Sequence, residues 1–338
     1  MEGDCLVVAY GAEGDVRHIV IDAGHKATGI TLSAYLKEES ITELELFVVT
    51  HIDLDHIEGA LNLLDDNPQL VIKDIWFNGY AHLHEGLGAL GGIQGEELTK
   101  RIAARSWNLA FCGHAVRIEG DGSPRKVDAL PGGLEITLLS PSRAKLIKLI
   151  HSWEEACAKA GIVAGQAGTP DAVPAGLHPQ GAPDIETMAG MVTAKDSAPA
   201  NGSSIAFLMS FGGKKVLFGA DAHPDILCES LNALGDGPVE LDLLKVPHHG
   251  SQANVTRELM KSMRCSNFLI STSGARFRHP DQPAIARLIE GSVEPARLYF
   301  NYRQQYTEFW EDRGSLVGDP DFSCQFADIG KPITIRLI

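Results

Sequence analysis

The stretch VVTHIDLDHIEGALNLL, Val48 to Leu64, places four polar residues directly behind an apolar, strand-like run: His51, Asp53, Asp55 and His56. One interpretation is a helix N-terminus, in which Asp53 or Asp55 caps the helix and the histidines are solvated. That interpretation leaves the two histidines unexplained. Imidazole and carboxylate are the ligands that Zn, Mn and Fe prefer in proteins. We therefore expect a loop after the strand to turn these four side chains toward a metal ion.

The composition is that of a globular chain. Its 338 residues, 44% hydrophobic and 22% charged, fit one large domain or two small ones with an ample core. No apolar run approaches the roughly 20 residues of a membrane helix, and residues 1–30 lack the pattern of a secretory signal. The sequence therefore predicts a cytoplasmic protein that does not enter a membrane. The net charge of −15 disfavours long duplex DNA and favours a small substrate or a short single strand.

Apolar runs with strand character alternate with segments of helical spacing along most of the chain. The first 24 residues predict a hairpin, and residues 203–223 predict a second hairpin around Gly212 and Gly213. This alternation favours a layered α/β fold. Between Ile162 and Asn201 the sequence becomes rich in Ala, Gly and Pro and loses its periodicity. We interpret that segment as an insertion or lid in a single domain spanning residues 1–338.

Five motifs, in the expected order, resemble the metallo-β-lactamase superfamily. THIDLDHIEG resembles its HxHxDH signature, with Asp53 where the second histidine usually stands. The other four are GDCLVV followed by HIVIDAG, NGSSIAFLMSFGGKKVLFGADAH, LKVPHHGS and ISTSGARFRHP. The last two are similar to the branch related to the nuclease-like domain of DNA-uptake channel (competence) proteins. The resemblance implies an αββα sandwich, in which two mixed β-sheets flanked by helices hold metal ions at one edge.

The resemblance also implies which residues bind metal. The implied ligands are His51 and Asp53 at the first ion, Asp55 and His56 at the second, Asp221 between the two ions, and His248 or His249 completing the second site. We favour His248 as the ligand, because it directly follows a predicted strand, and His249 as a catalytic residue that faces the substrate. Asp55 has a second, catalytic role, since it is expected to orient the attacking hydroxide.

Four further residues belong to the implied site. Asp22 orients a ligating histidine or caps the turn after its strand. Asn201 faces the cleft or belongs to an ordinary Asn-Gly turn. Ser251 lies close behind the ligands or caps a helix running through Arg257. His279 stands where the related branch keeps a histidine near the substrate.

The chain departs from the superfamily pattern at the first metal. A third histidine, usually supplied from a mid-chain strand end, has no clear equivalent: Ser140 occupies the expected place, and His82, His84 and His114 are the other candidates. The carboxylate of Asp53 makes the site harder and more anionic, which shifts its preference from Zn toward Mn, Fe or Mg. We therefore expect one or two divalent metal ions. A mononuclear enzyme and an inactive relic remain alternatives.

These residues lead us to expect a metal-dependent hydrolase that uses a metal-bound hydroxide. The branch implies a phosphodiesterase or nuclease acting on a phosphodiester or another small anionic substrate. The alternatives are a hydrolase of another ester, amide or lactone, and a degenerate scaffold that serves as a binding or regulatory module. The superfamily usually has a strand before the Gly-Asp turn. We therefore expect that this chain lacks that strand or begins after it, and that it belongs to a larger multi-protein system.

Overall fold

The computed structural model describes residues 3–83, 93–150, 184–275, 277–312, 316–317 and 320–337. These residues form two compact units. The first comprises the described parts of Gly3–Ala172 and Ala198–Ile205, and the second those of Val173–Ser197 and Ala206–Ile338.

Strands and helices alternate along both units. The strands are β1 (Leu6–Ala12), β2 (Asp15–Ile21), β3 (Glu43–Leu44), β4 (Leu46–Val48), β5 (Val71–Ile72), β6 (Ile75–Trp76), β7 (Arg125–Leu130), β8 (Leu134–Ser140), β9 (Ala206–Phe211), β10 (Lys214–Phe218), β11 (Val239–Glu240), β12 (Leu243–Lys245), β13 (Met263–Arg264), β14 (Asn267–Ile270), β15 (Ala296–Phe300) and β16 (Phe322–Phe326). The helices are α1 (Lys26–Glu38), α2 (Leu54–Asp66), α3 (Tyr80–Leu83), α4 (Ile93–Ile102), α5 (Ile185–Ala189), α6 (Pro199–Gly202), α7 (Pro224–Asn232), α8 (Arg257–Lys261), α9 (Gln282–Glu290) and α10 (Gln305–Glu308).

The first unit contains a mixed four-stranded sheet in the order β1-β2-β4-β6. Strands β1 and β2 form an antiparallel hairpin, whereas β2, β4 and β6 run parallel. Strands β7 and β8 form a second hairpin. The core of this unit includes Phe47, Ile57 and Leu63, all fully buried. Apolar residues spaced for one helix face therefore hold α2 against the sheet.

Helices α1 and α2 pack at unusually short range through glycine. A Cβ atom on Gly29 would lie 2.4 Å from the backbone oxygen of Gly59, and one on Gly59 would lie 2.0 Å from the oxygen of Ala23. The amide of Gly59 donates to the oxygen of Gly24 at 2.7 Å. Only glycine permits such backbone contact. The start of α2 is thereby fixed against the loop that follows β2.

In the second unit six strands lie side by side in the order β16-β15-β14-β12-β10-β9. The β9–β10 pair is antiparallel and the other pairs are parallel. Fully buried side chains of these strands include Phe207, Leu217, Phe268 and Phe300. Both units thus combine mixed sheets with helices, which confirms the α/β prediction.

The predicted hairpins at residues 1–24 and 203–223 are confirmed as β1–β2 and β9–β10. Residues 162–183 of the predicted insertion lie outside the described residues. The remaining residues of that segment include the two short helices α5 and α6. In the part of the chain that the structure describes, no helix is both long and apolar enough to cross a membrane.

Candidate metal centre

The polar residues of the first unit meet where two parallel strands end. Asp22 follows β2, and Thr50 and His51 follow β4 after one further apolar residue. Because parallel strands have their carboxyl ends at the same edge of the sheet, these residues are brought together. The amide of Asp22 donates to the oxygen of Val48 at 2.8 Å, which continues the pairing beyond the strands.

Asp22 is the centre of a buried hydrogen-bond network. Its Oδ1 atom accepts the amide of Thr50 and its Oδ2 atom accepts the hydroxyl of Thr50, each at 2.7 Å. Oδ2 also lies 2.7 Å from Nδ1 of His56. Since a carboxylate accepts, Nδ1 of His56 carries the hydrogen and Nε2 is the basic nitrogen. Metal-binding histidines are commonly held in this way, so the predicted role of Asp22 in orienting a histidine fits the structure.

His51 is linked to the same network through Thr50. Its Nδ1 atom lies 3.0 Å from the Thr50 hydroxyl oxygen, whose own hydrogen is directed to Asp22. The rings of His51 and His56 have centroids 4.2 Å apart, and the two residues are 2% and 0% exposed. One carboxylate therefore orients two buried imidazoles. The interpretation that these histidines are solvated is wrong.

The start of α2 places the remaining residues of the opening motif. Asp53 is the residue before the helix, but its side chain makes no capping hydrogen bond. It is 43% exposed, and its Oδ2 atom lies 3.7 Å from Nε2 of His51. Asp55 and His56 are buried in the first helical turn. The expectation of a loop was wrong for these two residues, because the helix already begins at Leu54.

Further carboxylate oxygen is available beside His56. Asp4 and Asp22 each bring an oxygen, and His56 a ring nitrogen, such that the three atoms lie within 4.8 Å of one another. All three residues are buried. Imidazole nitrogen and carboxylate oxygen are the usual protein ligands of a divalent cation. The oxygens of Asp22, however, already accept hydrogens from Thr50 and His56, so its role here is to orient His56.

The second unit repeats the arrangement at its own sheet. Asp221, His248 with His249, and Ser271 follow the parallel strands β10, β12 and β14. Left-handed backbone conformations turn the chain sharply here: φ is 45° at His248 and 54° at His249. The amide of His248 donates to the oxygen of Ala220 at 2.8 Å, which ties this turn to the end of β10.

Both histidines of this turn direct Nε2 toward Asp221. The distances to Oδ2 of Asp221 are 3.7 Å from His248 and 3.9 Å from His249. These distances exceed hydrogen-bond length. Two donors that share one metal ion at bonds of about 2.1 Å lie roughly 3–4 Å apart. Nδ1 of His249 donates to the backbone oxygen of Ser271 at 2.8 Å, so Nε2 is its basic nitrogen.

His248 lies between two carboxylates. Its Nδ1 atom is 2.8 Å from Oδ1 of Asn254 and 3.3 Å from Oδ2 of Asp196. Burial disfavours the protonated imidazole, but Asp221 and Asp196 outweigh this effect and raise the pKa of His248 to about 9.

Ser251 and His279 lie near this turn. The amide of Ser251 donates to the oxygen of His248 at 2.8 Å. Of the two alternatives for Ser251, the cap of a helix through Arg257 is wrong, because α8 begins at Arg257 and Thr256 caps it by accepting the amide of Leu259. The ring of His279 has its centroid 5.6 Å from that of His248, and its side chain is 12% exposed.

The candidates for a third histidine occupy different environments. His82 is half-buried on α3, where its ring meets Trp107 edge to face at 4.3 Å. Burial lowers its pKa to about 4. His114 is exposed, and His84 lies outside the described residues. Ser140 is fully buried at the end of β8.

Asn201 is buried on the short helix α6 and is 5% exposed. Its backbone oxygen accepts the amide of Ser204 at 3.0 Å. A helical turn therefore precedes Ile205, whereas the sequence allowed either a cleft-facing residue or an ordinary Asn-Gly turn.

Comparison with known proteins shows a partial match to a curated protein. No protein-family model matches the chain. Over 114 residues, 33% of this chain, the sequence is 29% identical to ComE operon protein 3 of Bacillus subtilis (strain 168). The matched part is 14% of the length of that protein. This weak similarity is consistent with the DNA-uptake branch to which the motifs pointed.

Sequence reasoning missed several residues that hold the histidines. Thr50 immediately precedes the opening motif, and its hydroxyl beside a strand-end aspartate was a usable signal. Asn254 and Asp196 gave no such signal, because their contacts join residues 58 positions apart in sequence. The backbone oxygen of Ser271 has no sequence signature, since any residue supplies it.

Proposed function

We propose that this protein is a metal-dependent hydrolase of the metallo-β-lactamase superfamily that cleaves phosphodiesters. The observation that carries the proposal is the pair of oriented imidazoles: Asp22 fixes Nε2 of His56 as the basic nitrogen, and the oxygen of Ser271 does the same for His249. Buried histidines with one nitrogen fixed by an acceptor are characteristic of metal centres. The mixed sheets of both units support an αββα sandwich.

The proposed metal ligands are those that the resemblance implies. They are ligands of one or two divalent ions: His51, Asp53, Asp55, His56, Asp221 and a histidine of the turn after β12. When bound, such an ion lowers the pKa of water and neutralises charge on a phosphoryl oxygen. Asp55 orients the water, and the network of Asp22 keeps the two imidazoles of its own unit in place.

The roles that we propose for His248 and His249 are the reverse of those favoured from the sequence. His249 is nearly fully buried, and its Nδ1 donates to a backbone oxygen, as ligating histidines commonly do. The side chain of His248 is 21% exposed. We therefore assign His249 as the metal ligand, and His248 with His279 as the residues that face the substrate.

A phosphodiester is the substrate class best supported by the donor set. Phosphate oxygen is a hard ligand, and carboxylates such as Asp53 and Asp221 favour hard ions such as Mn and Mg. The net charge of −15 disfavours long duplex DNA through repulsion. Dinucleotides or short single strands are therefore the preferred substrates within this class.

The test is metal content followed by an assay. Protein purified in metal-free buffer is titrated with Mn, Zn and Mg, and hydrolysis of bis(p-nitrophenyl) phosphate and of a short single-stranded oligonucleotide is measured. We expect one or two ions per chain and a Mn-dependent rate that Asp221→Asn reduces at least 100-fold. His114→Gln, which changes an exposed imidazole, is the control.

Two results contradict the proposal. The first is wild-type protein that binds no divalent ion at micromolar concentration. The second is protein that binds the ions but hydrolyses neither phosphodiester with any of the three metals. Activity on an aryl ester or lactone in that second case identifies a hydrolase of another class.

A further inference from the structure

The side-chain amide of Asn254 has only one possible orientation. Its Nδ2 atom lies 3.0 Å from Oδ2 of Asp196, 3.2 Å from the backbone oxygen of Asp221 and 3.2 Å from that of Ala222. All three are acceptors, so the amino group must face them. Oδ1 of Asn254 therefore faces Nδ1 of His248, and that nitrogen must carry a hydrogen.

Asp196 is the charged member of this arrangement. Its side chain is only 8% exposed, and its Oδ1 atom also lies 3.7 Å from Nε2 of His223. The amide of Asp196 donates to the oxygen of Ala253 at 3.3 Å. This carboxylate thus lies between two imidazoles and fixes the amide that determines the tautomer of one of them.

A buried arginine anchors the segment that carries Asp196. We call residues 184–197 the strap. Arg287 on α9 is 4% exposed. Its guanidinium donates to strap and loop oxygens: Ala189 O at 3.2 Å, Met191 O at 2.6 Å, Thr193 Oγ1 at 3.2 Å, Gln252 O at 2.8 Å and Val255 O at 2.8 Å.

The acceptors of Arg287 belong to two segments. Those on the strap and those on the loop around Asn254 are held by one rigid, planar group. The spacing between Asp196 and Asn254 is therefore set by α9 as well as by their own contact. Such support from buried neighbours is what gives a site a defined geometry.

We propose that Asp196 is a positioning residue of the hydrolytic site. Its Oδ2 atom lies 3.3 Å from Nδ1 of His248 and also accepts the amino group of Asn254, whose amide oxygen faces the same nitrogen. These two contacts keep the hydrogen on Nδ1 and direct Nε2 toward Asp221. The proposal rests on the proposed function only in giving His248 a part in catalysis; the tautomer argument stands on the contacts within the second unit.

The decisive experiment combines kinetics with ¹⁵N-edited NMR of the histidine side chains. Spectra are recorded at alkaline pH, where the imidazole is neutral and has a defined tautomer, and wild-type His248 then shows hydrogen at Nδ1. In Asp196→Ala, Nδ1 of His248 loses the carboxylate at 3.3 Å, and Asn254 loses one of its three acceptors. We expect a mixture of tautomers, a kcat reduced about 10–100-fold, a KM within about threefold of wild type by the same reasoning, and unchanged metal content. Asn254→Ala should give the same spectrum.

Asp184→Ala is the matched control. Asp184 lies at the other end of the strap and caps α5 with an exposed carboxylate. Its variant should keep the wild-type histidine spectrum. The proposal is overturned if Asp196→Ala or Asn254→Ala retains a single Nδ1–H tautomer at His248, or if Asp196→Ala keeps kcat within twofold. Where wild-type protein hydrolyses no phosphodiester, the proposed function fails, and the spectra alone still decide the role of Asp196.

Discussion

The carboxylate of Asp22 lies 2.7 Å from Nδ1 of His56 and 2.7 Å from the hydroxyl of Thr50, so that one buried side chain fixes two histidine rings. We expect Asp22→Asn to weaken metal binding about 10–100-fold, because an amide cannot accept all three hydrogens that the carboxylate accepts. Asparagine is the suitable substitution, since φ at this position is 55° and asparagine tolerates that conformation. Competition with a chelator measures the change.

The control for this variant is Asp15→Asn at the exposed beginning of β2. It should bind metal as wild type does. Equal metal affinity in Asp22→Asn and wild type would show that the network of Asp22 supports only the fold.

Substitution of Asp53 tests which metal ion the proposed site prefers. It supplies a hard oxygen next to His51, where the superfamily usually has imidazole, so the wild-type protein should work best with Mn and poorly with Zn alone. Asp53→His should shift the optimum toward Zn. Rates measured with Mn, Mg, Fe and Zn compare the two proteins. An unchanged ranking would mean that Asp53 binds no metal.

Substitution of Gly59 tests how much the close approach of α1 and α2 contributes to stability. A methyl group at this position meets the oxygen of Ala23 at 2.0 Å. Gly59→Ala should therefore displace α2 and lower the free energy of unfolding by about 1–3 kcal/mol. Urea denaturation measures this loss, and metal affinity should fall with it because α2 carries Asp55 and His56. Gly120→Ala, where an added Cβ has no neighbour within 4 Å, is the control and should be near neutral.

The buried His82 makes stability depend on pH. Its pKa in the folded protein is about 4, below its ordinary value near 6.5, because burial disfavours the imidazolium. Between these values the unfolded chain binds a proton that the folded chain does not, so stability falls as the pH falls. The expected loss from His82 is about 2 kcal/mol between pH 7 and pH 5.

Urea unfolding of His82→Gln at the two pH values checks this expectation. The variant should lose about 2 kcal/mol less than wild type on acidification. Parallel behaviour of His82→Gln and wild type would show that His82 takes up its proton in the folded state.

The sequence predicted those parts of the fold that depend on local pattern. Apolar strands and glycine turns located both hairpins, and their alternation with segments of helical spacing predicted the α/β class. The contact of Asp22 with a histidine was also foreseeable, because strand-end carboxylates of parallel strands share one sheet edge. The expected loop ends earlier than the sequence suggested, because α2 begins at Leu54 and Asp53 precedes it without the side-chain hydrogen bond that marks most helix caps.

The long-range polar contacts could not be predicted from the sequence. Asp196 lies in a segment without periodicity, and nothing local indicates that it meets Asn254. Arg287 lies on an amphipathic helix, where a charged residue predicts an exposed position. Its burial depends on oxygens from two distant segments, which only the folded chain brings together.

The hydrogen bonds that Arg287 donates to the strap affect which positions of its amino-acid sequence can vary. Four of its five acceptors are main-chain oxygens, at Ala189, Met191, Gln252 and Val255. Main-chain oxygen is the same in every residue, so an exposed side chain such as that of Met191 can change without loss of the attachment. Relatives can therefore diverge in the strap while its path is preserved, and libraries that randomise Met191 and exposed Val192 should retain folded protein.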